Sequence, residues 1–286
     1  MPSVRQIKRR IRSVQNTAKI TKAMSMIAAS KMRRSQEMAS RGRPYSDRMR
    51  DLLAHLSAQP RDEESVHPLL RQREVRRVGV VHITPDRGLT GGLNSNINRS
   101  IAQFILDSNN SSDVVAVGKK GRDFLSQGGQ KVKAAFSDLG DRPSLLDTTP
   151  ISSIVIQDYT HENLDSVYIS YAKFVSTTVQ TPVIYPLLPV IPSELRPEDA
   201  VGYIYEPSSD EVLSNLLPRY VEMQIYHAIL ESIASEQSAR MVAMQNATDS
   251  ANEMIDDLTL VMNKARQESI TTELLDIVSG AVAVEA

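Results

Sequence analysis

The residues best placed for chemistry lie in Thr84-Pro-Asp-Arg-Gly-Leu-Thr-Gly-Gly-Leu-Asn94, a glycine-rich turn between a β-branched run and a helical pattern. Such a turn can lay exposed backbone N–H groups against phosphate. It matches neither of the spacings that ordinarily do so, G-x-x-x-x-G-K-[ST] and G-x-G-x-x-G. Gly118-Lys-Lys-Gly121 also lacks the first. The plainer reading is a strand-to-helix turn that needs glycine for positive φ and close packing.

Other constellations fail more clearly. The histidines (His55, His67, His82, His161, His227) are scattered, and His161-Glu162 is not followed by a second histidine at metal spacing. His227 falls on an apolar stripe and reads as a packed residue. Asp256 and Asp257 are adjacent, so on a helix they face different directions and read as a solvated face. The chain has no cysteine, which excludes a disulfide, a thiolate nucleophile and a sulfur-bound metal. A serine or threonine nucleophile needs a base within hydrogen-bond reach, and no pair is singled out. The expectation is a chain that is not an enzyme and holds no cofactor or metal.

Charge raises another class. Residues 1–50 carry fourteen Lys and Arg against Glu37 and Asp47, a formal +12. Such a segment could neutralise phosphates of a nucleic acid, yet residues 1–44 contain no aromatic to stack on a base. An internal partner is at hand, because residues 210–286 hold four basic and thirteen acidic residues, a formal −9. Oppositely charged ends in a chain of net charge −1 read as ends that lie together. The expectation is that charge chooses register and orientation while an apolar seam supplies stability. The arginine-rich, acid-poor start has the composition of an organelle transit peptide, but its apolar stripe belongs to a helix running past residue 30. No run of eighteen apolar residues is present.

The seam is explicit at the C-terminal end. Sixteen positions from Leu213 to Ala265, stepping alternately by three and four, are apolar apart from His227, Gln237 and Thr248. That alternation keeps one helix face toward a partner over many turns, as in a coiled coil. From Pro218 to Ser279 such a helix measures roughly 90 Å. The N-terminal end answers with Val4, Ile7, Ile11, Val14, Ala18 and Thr21 in a stretch from Pro2 to Gln59, broken near Gly42 and Pro44. After Thr21 a stripe of Ile20, Met24 and Ile27 takes over, as an inserted stutter would produce.

Between the ends the rhythm changes. Val78–Ile83, Val114–Val117, Ser153–Ile156 and Val183–Val190 read as short strands. Helical patterns alternate with them at Leu93, Ile97, Ile101 and Ile105, at Lys119–Gln127, and at Leu164, Val167, Tyr171 and Val175. Alternation of this kind implies a mostly parallel sheet. The predicted fold is therefore mixed α/β and α+β: a long antiparallel coiled coil of N- and C-terminal helices with an inserted α/β domain. Its parts are residues 1–59, a linker at 60–72 that includes Arg61-Asp-Glu-Glu64, the α/β domain at 73–208, and residues 209–286.

Three long motifs carry a resemblance. They are Val14-Gln-Asn-Thr-Ala-Lys-Ile-Thr-Lys-Ala-Met-Ser-Met-Ile-Ala-Ala-Ser-Lys-Met-Arg33, the loop Asp86–Asn96, and Ala239–Thr248 with Asn263–Leu274. In order and over essentially the whole chain they resemble the gamma subunits of F-type ATP synthases, of the bacterial kind. The resemblance implies the same fold and a central-stalk rotor, carrying torque between an ion-driven c ring and the catalytic alpha/beta hexamer while itself catalysing nothing. The implied partners are the alpha, beta and epsilon subunits and the c ring, with one copy per complex, no nucleic acid, and membrane contact only through the complex. The implied place is the cytoplasmic face of the bacterial cell membrane.

By resemblance, Met24, Arg266 and Gln267 face the beta subunit, and Tyr203, Tyr205 and Glu206 face the epsilon subunit or the c ring. Past Ala265 the seam ends, and Ile270, Leu274, Leu275, Ile277, Val278, Ala281 and Val282 make a mostly apolar tip. Thr90 stands where many relatives have cysteine and Pro85 where serine is common, so chemistry at the loop is not required. The cysteine-bearing insertion of chloroplast relatives is absent. A static coiled-coil scaffold is the alternative, and a nucleic-acid binder the third reading.

Overall fold

The computed structural model describes residues 3–57, 67–108, 110–192 and 205–285. The chain divides into two compact units, residues 1–27 with 241–286, and residues 28–240. Helices α1 (Val4–Ser57) and α5 (Ser209–Glu285) contribute to both.

In the first unit the two helices pair antiparallel. The Thr21 and Thr248 hydroxyls meet at 2.6 Å, and further along α1 the Ser25 hydroxyl donates to the Met241 carbonyl at 3.2 Å, an earlier position on α5. Ile7, Ile11, Ala18, Thr21 and Ser25 are buried on α1, and Met244, Thr248 and Ala251 on α5. Ile255, Leu258, Met262 and Ala265 are half-buried, each at the three-four spacing.

Two expectations fail along α1, the first of them across both units. There is no stutter: Ile20 and Ile27 are 60% and 56% exposed, while Ser25 and Ala28 are 7% and 1% exposed. The original register simply runs on through residues 25, 28, 32, 35, 39, 42, 46, 49, 53 and 56, all buried or half-buried. Small residues at 25, 28, 35, 39, 42 and 46 let the backbones approach closely, and a search for bulky apolar residues loses the seam there. Charge does not choose the register through contacts either. Among the described residues of the first unit no ion pair joins the helices, and Arg5, Lys8, Arg9, Arg10, Arg12, Lys19 and Lys22 are exposed.

In the second unit α1 continues unbroken through Gly42 and Pro44. Gly42 is needed for close approach: a Cβ there would lie 2.5 Å from Cε1 of His227, which accordingly packs on α1 as expected. The sheet has the order β3-β2-β1-β4-β5, formed by β1 (Arg77–Ile83), β2 (Ser111–Val117), β3 (Val132–Phe136), β4 (Ser166–Phe174) and β5 (Gln180–Leu188). Only β4 and β5 pair antiparallel. Helices α2 (Leu93–Ser108) and α3 (Lys119–Gln127) lie where their patterns predict.

Ser153–Ile156 is not a strand. It belongs to α4 (Leu145–Thr160), which opens with a reciprocal cap between Ser144 and Asp147 and buries Ile151, Val155 and Tyr159 at helical spacing. Nor is the stretch around Val167 and Tyr171 a helix; it is β4, whose Val167, Ile169 and Tyr171 share one face at a period of two. Strand β3 gave no sequence signal.

The sheet is covered on both sides, which accounts for the unbroken burial of β1 beyond Arg77. Val78, Val80 and Val114 pack with Ile101 of α2 and Leu125 of α3. Val81, Ile83, Val115, Val117 and Ile169 pack with Ile151 and Val155 of α4, Leu53 and Leu56 of α1, and Leu217, Val221, Ile225 and Ile229 of α5. In this unit α5 is therefore buried on a second stripe besides its seam: Leu217, Val221, Ile225, Ala228, Ser232, Ser235 and Ala239.

Candidate functional site

The glycine-rich turn leaves the end of β1, between β1 and α2. Its base is wired to its neighbours. Thr84 N donates to Val117 O at 2.7 Å, Gly121 N donates to Thr84 Oγ1 at 2.8 Å, and the Asp86 carboxylate accepts from Lys119 N and Asp138 N, both at 2.9 Å. Leu89 and Gly91 have φ of 64° and 57°. Gly118 has φ 100°, and a Cβ there would lie 1.9 Å from the Thr84 carbonyl oxygen. Gly91 and Gly118 thus serve backbone geometry and contact, as expected, whereas a Cβ at Gly88 would meet nothing within 4 Å; the Asp86 oxygens that could face a ligand are committed to backbone N–H groups.

Beside the turn lies a buried polar chain. Asn98 Nδ2 donates to Lys120 O at 3.4 Å, which leaves Asn98 Oδ1 to accept from His82 Nε2 at 3.0 Å, and Ser170 Oγ meets His82 Nδ1 at 3.2 Å. That pattern assigns the proton to Nε2. Burial pushes the imidazole down to about 4, the Asn98 contact opposing only part of the effect. A histidine enclosed in this way, neutral and bonded at both nitrogens, ties β1, β4, α2 and α3 together and is no general base for a substrate.

The loop is also held from α5. Arg240 Nη2 donates to Gly88 O at 3.4 Å and to Glu236 Oε1 at 2.6 Å. Burial raises the Glu236 carboxyl above the ordinary carboxylate range against the pull of Arg240, and the Asp141 and Asp86 charges add to the rise. Lys31 of α1 reaches Asp141 at 2.6 Å. Among the described residues no group of three or more His, Asp or Glu could hold a metal ion.

A cleft of about 890 Å³ opens between α1, α5 and the β4–β5 edge, lined among others by Arg50, Lys173, Tyr185, Tyr220 and Glu231. In its lining the Tyr171 hydroxyl donates to Glu231 Oε2 at 2.9 Å, and burial with the Glu231 charge pushes that phenol well above its ordinary range.

The residues assigned to partners are not gathered at one place. Met24 is half-buried on α1, whereas Arg266 and Gln267 are exposed on α5. The Thr21–Thr248 contact puts Met24 level with α5 near residue 245, so at 1.5 Å per residue the two places are roughly 30 Å apart along the helix. Val4 and Ala265 each lie seventeen residues from that contact on their own helices, so the seam ends one residue before Arg266. Beyond it Ile270, Leu274, Leu275, Ile277 and Val278 are exposed. The side chains of Ala281 and Val282 lie outside those described, as does Tyr203; Tyr205 is half-buried and Glu206 exposed. What the sequence reading missed is the row of polar residues on α5 between Glu231 and Arg240. Its signal is the small, polar repetition of Ser232, Ser235 and Ser238 inside an otherwise apolar pattern.

The antiparallel pairing of α1 and α5 and the parallel-rich sheet agree with what the comparisons find. The family model described as ATP synthase matches residues 3–284. The ATP synthase gamma chain of Dehalococcoides mccartyi is 57% identical over 284 residues, 99% of this chain and 100% of that one. The chain belongs to the ATP synthase gamma chain family. The gamma chain of Herpetosiphon aurantiacus is 48% identical over 99% of both chains. Among solved structures, a chain of the central stalk and c-ring assembly of the Tetrahymena thermophila mitochondrial ATP synthase matches with a TM-score of 0.61 and 25% identity, covering 80% of this chain and 99% of that one. A chain of the Euglena gracilis mitochondrial enzyme shares the fold, with a TM-score of 0.70 over 98% of this chain and 94% of that one, at 20% identity.

Proposed function

We propose that this gamma chain is the central-stalk rotor of an ATP synthase: it carries torque between an ion-driven c ring and a catalytic alpha/beta hexamer, for ATP synthesis or hydrolysis, and performs no catalysis itself. The observation that carries this reading is the seam that ends at Ala265 with an exposed apolar helix beyond it, in a chain 57% identical to a named gamma chain. Two antiparallel helices resist bending and twisting better than one. An apolar end can turn inside an apolar sleeve without breaking ion pairs, and exposed apolar surface of this kind marks a partner site. In this reading Met24, Arg266 and Gln267 meet the beta subunit. Tyr203, Tyr205 and Glu206 meet the epsilon subunit or the c ring, one copy serves each complex, and the chain sits at the cytoplasmic face of a bacterial membrane. No helix among the described residues is long and apolar enough to cross a membrane, so attachment would run through the complex.

Co-purification tests it most directly. The chain, tagged and expressed with alpha and beta subunits, is expected to emerge at one copy per hexamer and to rotate when ATP is supplied. A chain that emerges alone would overturn the reading, and removal of the last ten residues separates a rotor, which loses coupling, from a static scaffold, which loses only assembly.

A further inference from the structure

Helix α5 presents a row of directional bonds to one end of the sheet. Tyr171 donates its hydroxyl to Glu231 Oε2 at 2.9 Å, Ser235 Oγ donates to Ala172 O at 2.8 Å, and Ser238 Oγ donates to Thr177 O at 2.7 Å. Gln180 Nε2 adds a longer contact to Ser238 Oγ at 3.4 Å. Residues 231, 235 and 238 step by four and three, so they share one face of the helix. Ser235 and Ser238 are fully buried. Their acceptors are main-chain carbonyls at the end of β4 and in the turn that follows. Ala172 stands opposite Pro182 in the ladder, a residue with no N–H to give, and its carbonyl takes the serine hydroxyl.

Nearer the start of α5 this face carries Leu217, Val221 and Ile225, buried in the core. Beside the end of β4 it shrinks to Ala228, Ser232 and Ala239, which offer little relief for ridges to lock into grooves, and apolar contact is non-directional. Over that stretch a turn of the helix about its own axis costs little buried apolar area. Hydroxyl-to-carbonyl bonds cannot follow such a turn, because their strength falls steeply with angle and a buried partner left unpaired is costly.

Resting on the rotor reading, we propose that Ser235 and Ser238, with the Tyr171–Glu231 bond, are positioning residues that fix the rotational phase of α5 against the sheet, so that torque passes between helix and sheet without slip. The three bonds act together as a key in a slot.

The test uses the complete complex in sealed vesicles, with ATP hydrolysis and ion transport followed together. A Ser235→Ala/Ser238→Ala chain is expected to assemble and to hydrolyse ATP within about twofold of the wild type, while ions moved per ATP fall at least threefold. Tyr171→Phe removes one hydroxyl and leaves the ring; it should lower the same ratio by a smaller factor. A loss of stability alone would lower the yield of complex and leave that ratio untouched. If Tyr171→Phe and every serine variant that assembles transport ions per ATP as the wild type does, the phase lock is wrong. A wild-type complex that hydrolyses ATP without transport would instead sink the rotor reading.

Discussion

His82 shows how much one enclosed side chain can govern. Burial pushes its imidazole down to about 4 in the fold, against 6.5 for an exposed histidine. Between those limits the unfolded chain binds a proton that the folded chain does not, so stability falls as pH falls through that window, by up to about 3 kcal/mol. Glu236 opposes this, since its raised carboxyl favours the fold as pH falls. Asp138, Asp147 and Asp165, all lowered from 3.8, act only below the window. Urea unfolding at pH 7 and pH 4.5 is therefore to be compared between wild type and His82→Gln, and the wild type should lose more stability on acidification. Equal losses would show that the ring is not the titrating group. Gly118→Ala is a harsher change, because φ of 100° and a Cβ 1.9 Å from the Thr84 carbonyl leave backbone to move and not a side-chain tip. A cost of roughly 3 kcal/mol or more in the same assay is expected.

At the scale of elements, the corrected register of α1 can be tested by substitutions of opposite sign. Ala28 is 1% exposed, so Ala28→Leu should overpack the seam and cost about 1–3 kcal/mol. Ile20→Ser and Ile27→Ser should each change thermal stability by less than about 0.5 kcal/mol, because both side chains stand in solvent in the isolated chain. The reverse ranking would restore the stutter. This contrast also shows what the sequence could reveal. Leu213 to Ala265 was legible because bulky residues repeat there, and α2, α3, β1 and β2 because their periods are unmixed. On α1, Ser25, Ala28, Ser35, Ala39 and Gly42 carry the same register silently, since size is what a hydrophobic stripe reports. The interchange of α4 and β4 has a related cause: β-branched Ile154, Val155 and Ile156 favour a strand locally, and the Ser144–Asp147 cap with packing of Ile151 and Tyr159 on the sheet overrides that preference. The glycine-rich turn was legible as backbone geometry. The serine row on α5 was not, because its partners are carbonyls more than fifty residues away.

At the scale of the whole molecule, the distribution of charge bears on the proposed contact with a stator. A formal +12 over residues 1–50 and −9 over residues 210–286 are not spent on helix-to-helix pairs in the first unit. In the first unit the basic side chains of α1 are exposed, and Arg266 is exposed just past the last residue of the seam. Charges arranged so can form and break contacts with a surrounding stator once per passage, which a paired, buried charge cannot do without a large desolvation cost. Arg266→Glu is accordingly expected to lower ATP-driven turnover of the reconstituted hexamer about twofold to fivefold, the range of one exposed ion pair. The loss should shrink at 1 M salt, where the Debye length is about 3 Å and exposed charges are screened from one another. Gln267→Ala, which removes no charge, should show no such salt dependence. Turnover and torque unchanged by Arg266→Glu at low salt would strip Arg266 of its assigned contact while leaving the shaft and its seam as described.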